Sequence, residues 1–109
     1  MARDKGLEEL LENDLNGTRG LTQKAMFGGM AWLLNGNLLC GAREGSMLVR
    51  LGKDNDSWAL KHAGVERMVM QGRPMSGWLR ANTKVYGNDT LRKKLLDAAV
   101  EFNRTLPKK

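Results

Sequence analysis

The chain has 109 residues, 41% hydrophobic and 28% charged, with a formal net charge of +6; this suits one domain over residues 1–109 with a small core, and excludes a disordered chain. One cysteine excludes an internal disulfide and fits a reducing compartment. Arg3, Asp4, Lys5, Glu8 and Glu9 stand where a secretion signal needs an apolar run, and no apolar segment approaches membrane-spanning length, so a cytoplasmic protein without a membrane partner is expected.

Residues 3–16 read as a helix. Leu7, Leu10, Leu11 and Leu15 recur at three- and four-residue spacing, and Gly17 is placed to stop it. Thr18 to Gln23 then reads as a link. Extended runs follow near Lys24–Phe27, at Met30–Leu34, at Leu38–Cys40 and at Ser46–Leu51, and the stretch Lys24–Leu51 is read as three short strands folded back on each other. Asn35-Gly36 lies between two apolar runs, a hairpin signal, because only residues tolerant of positive φ fit the tight turns that match strand twist. Gly45 supports a second turn over Arg43–Ser46, and the adjacent Gly28 and Gly29 suggest a bulge, a kink or the close approach of another backbone. Beyond Leu51, Asp54 or Asn55 is expected to cap a short helix over Asn55–Ala63. Val65–Met70 reads as a strand, Gly72-Arg73-Pro74 as a turn, and Met75–Ala81 as the last strand, with Met75, Gly77, Leu79 and Ala81 on one face. Tyr86–Asp89 reads as a loop. Asn88 or Asp89 caps a final helix over Thr90–Leu106, whose apolar stripe is Leu91, Leu95, Ala98, Ala99 and Phe102, and Pro107 ends it. The order helix, three strands, helix, two strands, helix predicts an α+β, two-layer domain: a mainly antiparallel five-stranded sheet with helices packed on it.

Four elements in this order, Met26-Phe27-Gly28-Gly29, Leu33-Leu34-Asn35-Gly36-Asn37, Met47-Leu48-Val49-Arg50 and Gly72-Arg73-Pro74-Met75-Ser76-Gly77-Trp78, resemble the N-terminal domain of the TfoX/Sxy family. The resemblance covers roughly residues 20 to 106 and is closer to short stand-alone members than to the competence regulators themselves. It implies a bacterial origin, a two-layer antiparallel α+β unit and a role linked to transcription through protein contact. The C-terminal helical domain of those regulators is not expected within residues 1–109, so the resemblance does not carry over a direct competence role.

The residues themselves show no catalytic constellation. Cys40 and the single histidine, His62, fall on different elements, too few for a closed zinc site and without the third group a nucleophile pair needs. Cys40 reads as a small buried hydrophobe and His62 as a surface or capping residue. The Asp54-Asn55-Asp56 run lacks the glycine and the distant glutamate of a calcium loop, and no phosphate-binding glycine loop occurs. No cofactor, metal or catalytic residue is therefore expected.

Charge is uneven. Residues 1–17 hold two basic and five acidic side chains, a net of −3, so residues 18–109 carry +9 and the total is +6. A basic body attracts phosphates and acidic partners; with Arg92-Lys93-Lys94 as the densest cluster, solubilising surface charge is the favoured account. Trp32, Trp58 and most of the methionines are assigned to the core, with an adaptable apolar contact patch as the second reading. Arg73, Pro74, Trp78 and Arg80 form a basic and aromatic set able to stack on bases or clamp phosphate, or equally to form an intramolecular cation–π contact or brace the turn. The candidate residues are thus Met26, Phe27, Gly28, Gly29, Asn35, Gly36, Arg73, Pro74, Trp78 and Arg80. The expected function is a non-enzymatic regulatory or protein-interaction module, contacting an unknown protein partner or itself as a homodimer. The alternatives are a small-ligand binder or enzyme with a pocket between sheet and helices, and a weak nucleic-acid binder through the basic face.

Overall fold

The computed structural model describes residues 4–26 and 29–108. Helix α1 (Lys5–Leu15) is capped by Asp4, whose carboxylate accepts from the Leu7 N–H at 3.0 Å. Strands β1 (Leu21–Met26), β2 (Gly29–Leu34), β3 (Asn37–Arg43) and β4 (Ser46–Arg50) follow. Then come α2 (Ser57–Leu60), β5 (Val65–Met70), β6 (Arg73–Ala81), α3 (Thr83–Tyr86) and α4 (Asp89–Asn103).

The strands form one antiparallel sheet in the order β1-β2-β3-β4-β6-β5. It has six strands, not five. Each extended run between residues 21 and 50 is a strand of its own, and β1 begins at Leu21, inside the expected link. The sequence hides the first half of β1, Leu21–Gln23, because it is an edge strand. Its LTQKAM lacks alternation, since Gln23 faces α1 and donates to Glu12 at 3.0 Å while its neighbours stay in water.

Asn35 and Gly36 turn β2 into β3 with φ of 52° and 86°, as their type demands. The β5–β6 turn falls one step earlier than expected. Gln71 and Gly72 take φ of 52° and 78°, leaving Arg73 and Pro74 inside β6. Helix α2 is shorter than expected, because the chain folds as turns on either side of it. Helix α3, in the expected loop, is capped by Asn82, which accepts from the Val85 N–H. Helix α4 starts from the Asn88 cap and closes at Asn103, with a terminal turn to Leu106.

Packing follows the alternation. Trp32, Cys40, Met47, Val49, Leu79 and Ala81 face one way and join Leu7, Leu11 and Leu15 of α1 and Leu95 and Ala99 of α4 in one core cluster. Trp32 and Cys40 have no exposed surface, as expected; Trp58 is half-buried against this core. Met47 is a core residue, whereas Met68 and Met75 are only half-buried. Two buried apolar residues, Ala31 and Leu48, lie outside the cluster because they point to the opposite face of the sheet.

One buried ion network ties the two long helices together. Arg92, 3% exposed, bonds Asp14 of α1 through Nε at 2.6 Å, Asp89 at 2.9 Å and the Tyr86 carbonyl at 2.8 Å. The Asp14 carboxylate holds the Arg92 guanidinium charged, raising its pKa.

Candidate interaction face

The strands and the long helices differ in charge. The six strands carry Lys24, Arg43, Arg50, Arg67, Arg73 and Arg80 against one carboxylate, Glu66. Helix α1 holds one basic and four acidic residues, and α4 three of each. The positive charge inferred for the chain body is therefore concentrated in the sheet layer. The Arg92-Lys93-Lys94 cluster contributes less than its sequence density suggests, because Arg92 is turned inward and neutralised by Asp14 and Asp89.

Strand register places these cations. Directly paired residues share a face, so Lys24, Ala31, Gly41, Leu48, Arg80 and Glu66 form one row across all six strands on the side away from the core. Arg43 pairs with Ser46 in the adjacent row. The middle of the row, Ala31, Gly41 and Leu48, is buried. Lys24, Arg43 and Arg80 are exposed around it. Among the described residues none of the three has an ion pair; Arg80 makes one long hydrogen bond, from Nε to Ser46 Oγ at 3.4 Å.

Gly29 starts β2 beside this face. A Cβ on it would overlap the Ala42 carbonyl oxygen and meet Arg43 Cβ, so the close backbone approach expected of the glycine pair is observed there. Phe27 and Gly28 lie outside the described residues, and Met26 pairs through its backbone with Gly29.

The set Arg73, Pro74, Trp78 and Arg80 does not come together. Trp78 instead takes Arg50 on its ring at 4.8 Å, and the same guanidinium lies 5.3 Å from Phe102 of α4. This is an internal cation–π stack at the end of β4, set by the pairing of Arg50 with Trp78 in the β4–β6 register rather than by any signal in the sequence. Arg73 and Pro74 lie farther along, where β6 outruns β4: β4 pairs only with Trp78–Ala81. Asn35 and Gly36 stand at the end of the sheet opposite Gly29.

The outrunning part of β6 forms, with β5, a projecting hairpin. Its base is bent. Pairing jumps from Arg67 with Leu79 to Val69 with Pro74, so residues 75–78 of β6 stand against Met68 alone. At the bend Gly77 has φ of 85°, and a Cβ there would overlap the Gly52 carbonyl carbon. Its N–H leaves the ladder and donates to Asp56 Oδ2 at 3.1 Å, while its carbonyl accepts from the Leu51 and Gly52 N–H groups. Asp56, 2% exposed, also accepts from Arg67 Nε at 3.3 Å. Asp54 and Asn55 do not cap α2. Asp56 holds the N-cap position, and its side chain is turned to the hairpin. At the hairpin tip Val69 is 59% exposed, the one exposed large apolar side chain among the described residues.

A cleft of about 520 Å³ opens between the α2 region and α4, lined by Asp54, Trp58, Glu101 and Phe102 among others. Lys94 Nζ sits 4.8 Å from the Trp58 ring, and the exposed His62 meets that ring edge-on at 6.5 Å. Cys40 lies in the core on the helix-facing side of β3, its thiol pushed far up by burial, so it is held as the inert thiol. No group of three or more metal-ligating side chains converges among the described residues, and no helix there is long and apolar enough to cross a membrane.

Comparison with known proteins yields one finding. A family model described as the TfoX N-terminal domain matches residues 13–103, from the end of α1 to the end of α4. The chain belongs to that family. No curated protein and no solved structure matches it.

Proposed function

We propose that this member of the TfoX N-terminal domain family is a non-enzymatic regulatory module of the competence-regulator kind, acting through surface contact with protein. The observation that carries this reading is the β5–β6 hairpin. It projects past β4, is held at a fixed bend by Asp56 and Gly77, and presents Val69 to solvent beside the half-buried Met68 and Met75. A free edge strand offers unpaired backbone groups beside this exposed valine, and the two together support a contact with another chain.

The occupant we assign is a second copy of the chain. β5 lies at the sheet edge, and an edge pairing related by a two-fold axis presents the same patch on both partners. The test is light scattering coupled to size-exclusion chromatography, from dilute to concentrated protein, on the wild type and on Val69→Gln. A mass that rises to two chains for the wild type and stays at one for Val69→Gln is expected. A wild type that remains at one chain, or a variant that dimerises equally, overturns the assignment.

The small-ligand reading has one observation in its favour, the cleft at Trp58 and Phe102. Its two carboxylates are surface-exposed, and two of the protein's own cations, Lys94 and Arg50, already occupy its ring faces, so we place it second.

A further inference from the structure

We propose that the sheet face turned away from the helices binds duplex DNA through its phosphates, at a surface separate from the Val69 tip and independent of the contact assigned to it. Three observations point there. On that face the exposed cations Lys24, Arg43 and Arg80 stand against one carboxylate, Glu66, whereas α1 is net acidic and α4 balanced, so the face is the side of the sheet that attracts a polyanion. The exposed cations of that face, Lys24, Arg43 and Arg80, have no ion pair among the described residues, and two of them are arginines, whose fork matches phosphate oxygens. The register holds Lys24 and Arg80 four strand spacings apart, about 19 Å. Between them Ala31, Gly41 and Leu48 are all buried, so the two exposed cations are the groups of the row that reach out to a rigid backbone. A duplex carries about one negative charge per 1.7 Å of axis, so this span faces several phosphates at once.

Duplex rather than single-stranded nucleic acid follows from the aromatic content. Sequence-independent binding of single strands relies on several rings stacking on successive bases. Among the described strand residues this side offers only Trp78, and Arg50 already lies over that ring. Charge spacing, not stacking, is what the face presents, so the binding is sequence-independent.

The experiment is fluorescence anisotropy of a labelled duplex titrated with the full chain at several salt concentrations. Three to four phosphate contacts predict that log K falls against log salt with a slope of about −3. The combined variant Lys24→Gln, Arg43→Gln, Arg80→Gln should flatten that slope by about 2 to 3 and weaken binding at low salt at least tenfold. Lys84→Gln, Lys93→Gln, Arg104→Gln removes the same charge from the helical side and should leave the slope within about one unit of wild type. The two triples then separate a built face from net charge. The single substitutions, each expected to lower the slope by about 1, decide the matter if the sheet triple does not fold by circular dichroism. Val69→Gln should bind DNA as the wild type does, so loss of the hairpin contact and loss of DNA binding are read separately. Absence of duplex binding at low salt, equal losses in the two triples, or tighter binding of a single strand than of the duplex overturns the proposal.

Discussion

Asp56→Ala tests whether the hairpin is held by one buried carboxylate. In the wild type that carboxylate is 2% exposed and accepts from the buried Gly77 N–H at 3.1 Å and from Arg67 Nε at 3.3 Å. Removal leaves the Gly77 N–H without its partner in a site that a neighbouring strand cannot reach, because the ladder is interrupted there. An unpaired buried donor costs about 1–3 kcal/mol. The Arg67 bond adds little, since Arg67 is 46% exposed and such a pair contributes roughly 0–1 kcal/mol. We expect a loss of about 2–3 kcal/mol, or roughly 10–20 °C in Tm for a domain of this size. Asp56→Asn keeps an acceptor oxygen and should lose about half as much, and Arg67→Ala less than about 1 kcal/mol. Urea unfolding followed by tryptophan fluorescence measures all three, with an unchanged m value as the check that only stability moved. If Arg67→Ala costs as much as Asp56→Ala, the carboxylate acts as an ion-pair partner and the backbone argument is refuted.

Three other outcomes are expected. Arg92→Ala strips Asp14 of its partner inside the α1–α4 junction and should cost about 3–5 kcal/mol by denaturant titration, with Arg92→Met milder because the apolar stem is kept. Asp4 has its pKa lowered, mainly by the Leu7 N–H and further by the Tyr86 hydroxyl at 3.1 Å. It therefore contributes stability above its unfolded pKa, and that contribution disappears as pH falls through the lower folded value. Asp4→Ala should cost about 1 kcal/mol at neutral pH and remove that acid-side decline from a Tm-versus-pH curve. Cys40, with no exposed surface and its thiol pKa pushed up, should ignore a colorimetric thiol reagent in the native protein and react stoichiometrically in denaturant; rapid native reaction would place it outside the core.

Sequence reading found what is encoded by near neighbours. The Asn35-Gly36 turn, the α1 stripe, the β5 boundaries and the alternation of Gly77, Leu79 and Ala81 are each set within a few residues, and each is where it was expected. Misplaced elements were those whose conformation is set from far along the chain. The first half of β1, Leu21–Gln23, looks like a link because an edge strand needs one partner and tolerates polar residues on both faces. Asp54 and Asn55 look like the caps of α2, yet Asp56 takes that position and its side chain is committed to a strand 21 residues away. The same limit applies to charge. Scanning the chain for basic runs selects Arg92-Lys93-Lys94, where folding buries the first member against Asp14, 78 residues distant. It passes over Lys24, Arg43 and Arg80, each isolated in sequence. A sheet collects side chains from separate strands into one row, so a one-sided field can arise from cations that never sit next to each other in the chain. The Arg50 and Trp78 contact has the same origin: two residues 28 positions apart become neighbours only through the β4–β6 register. Here surface chemistry is written in the pairing of strands, and register is the quantity that any substitution on this face should be designed against.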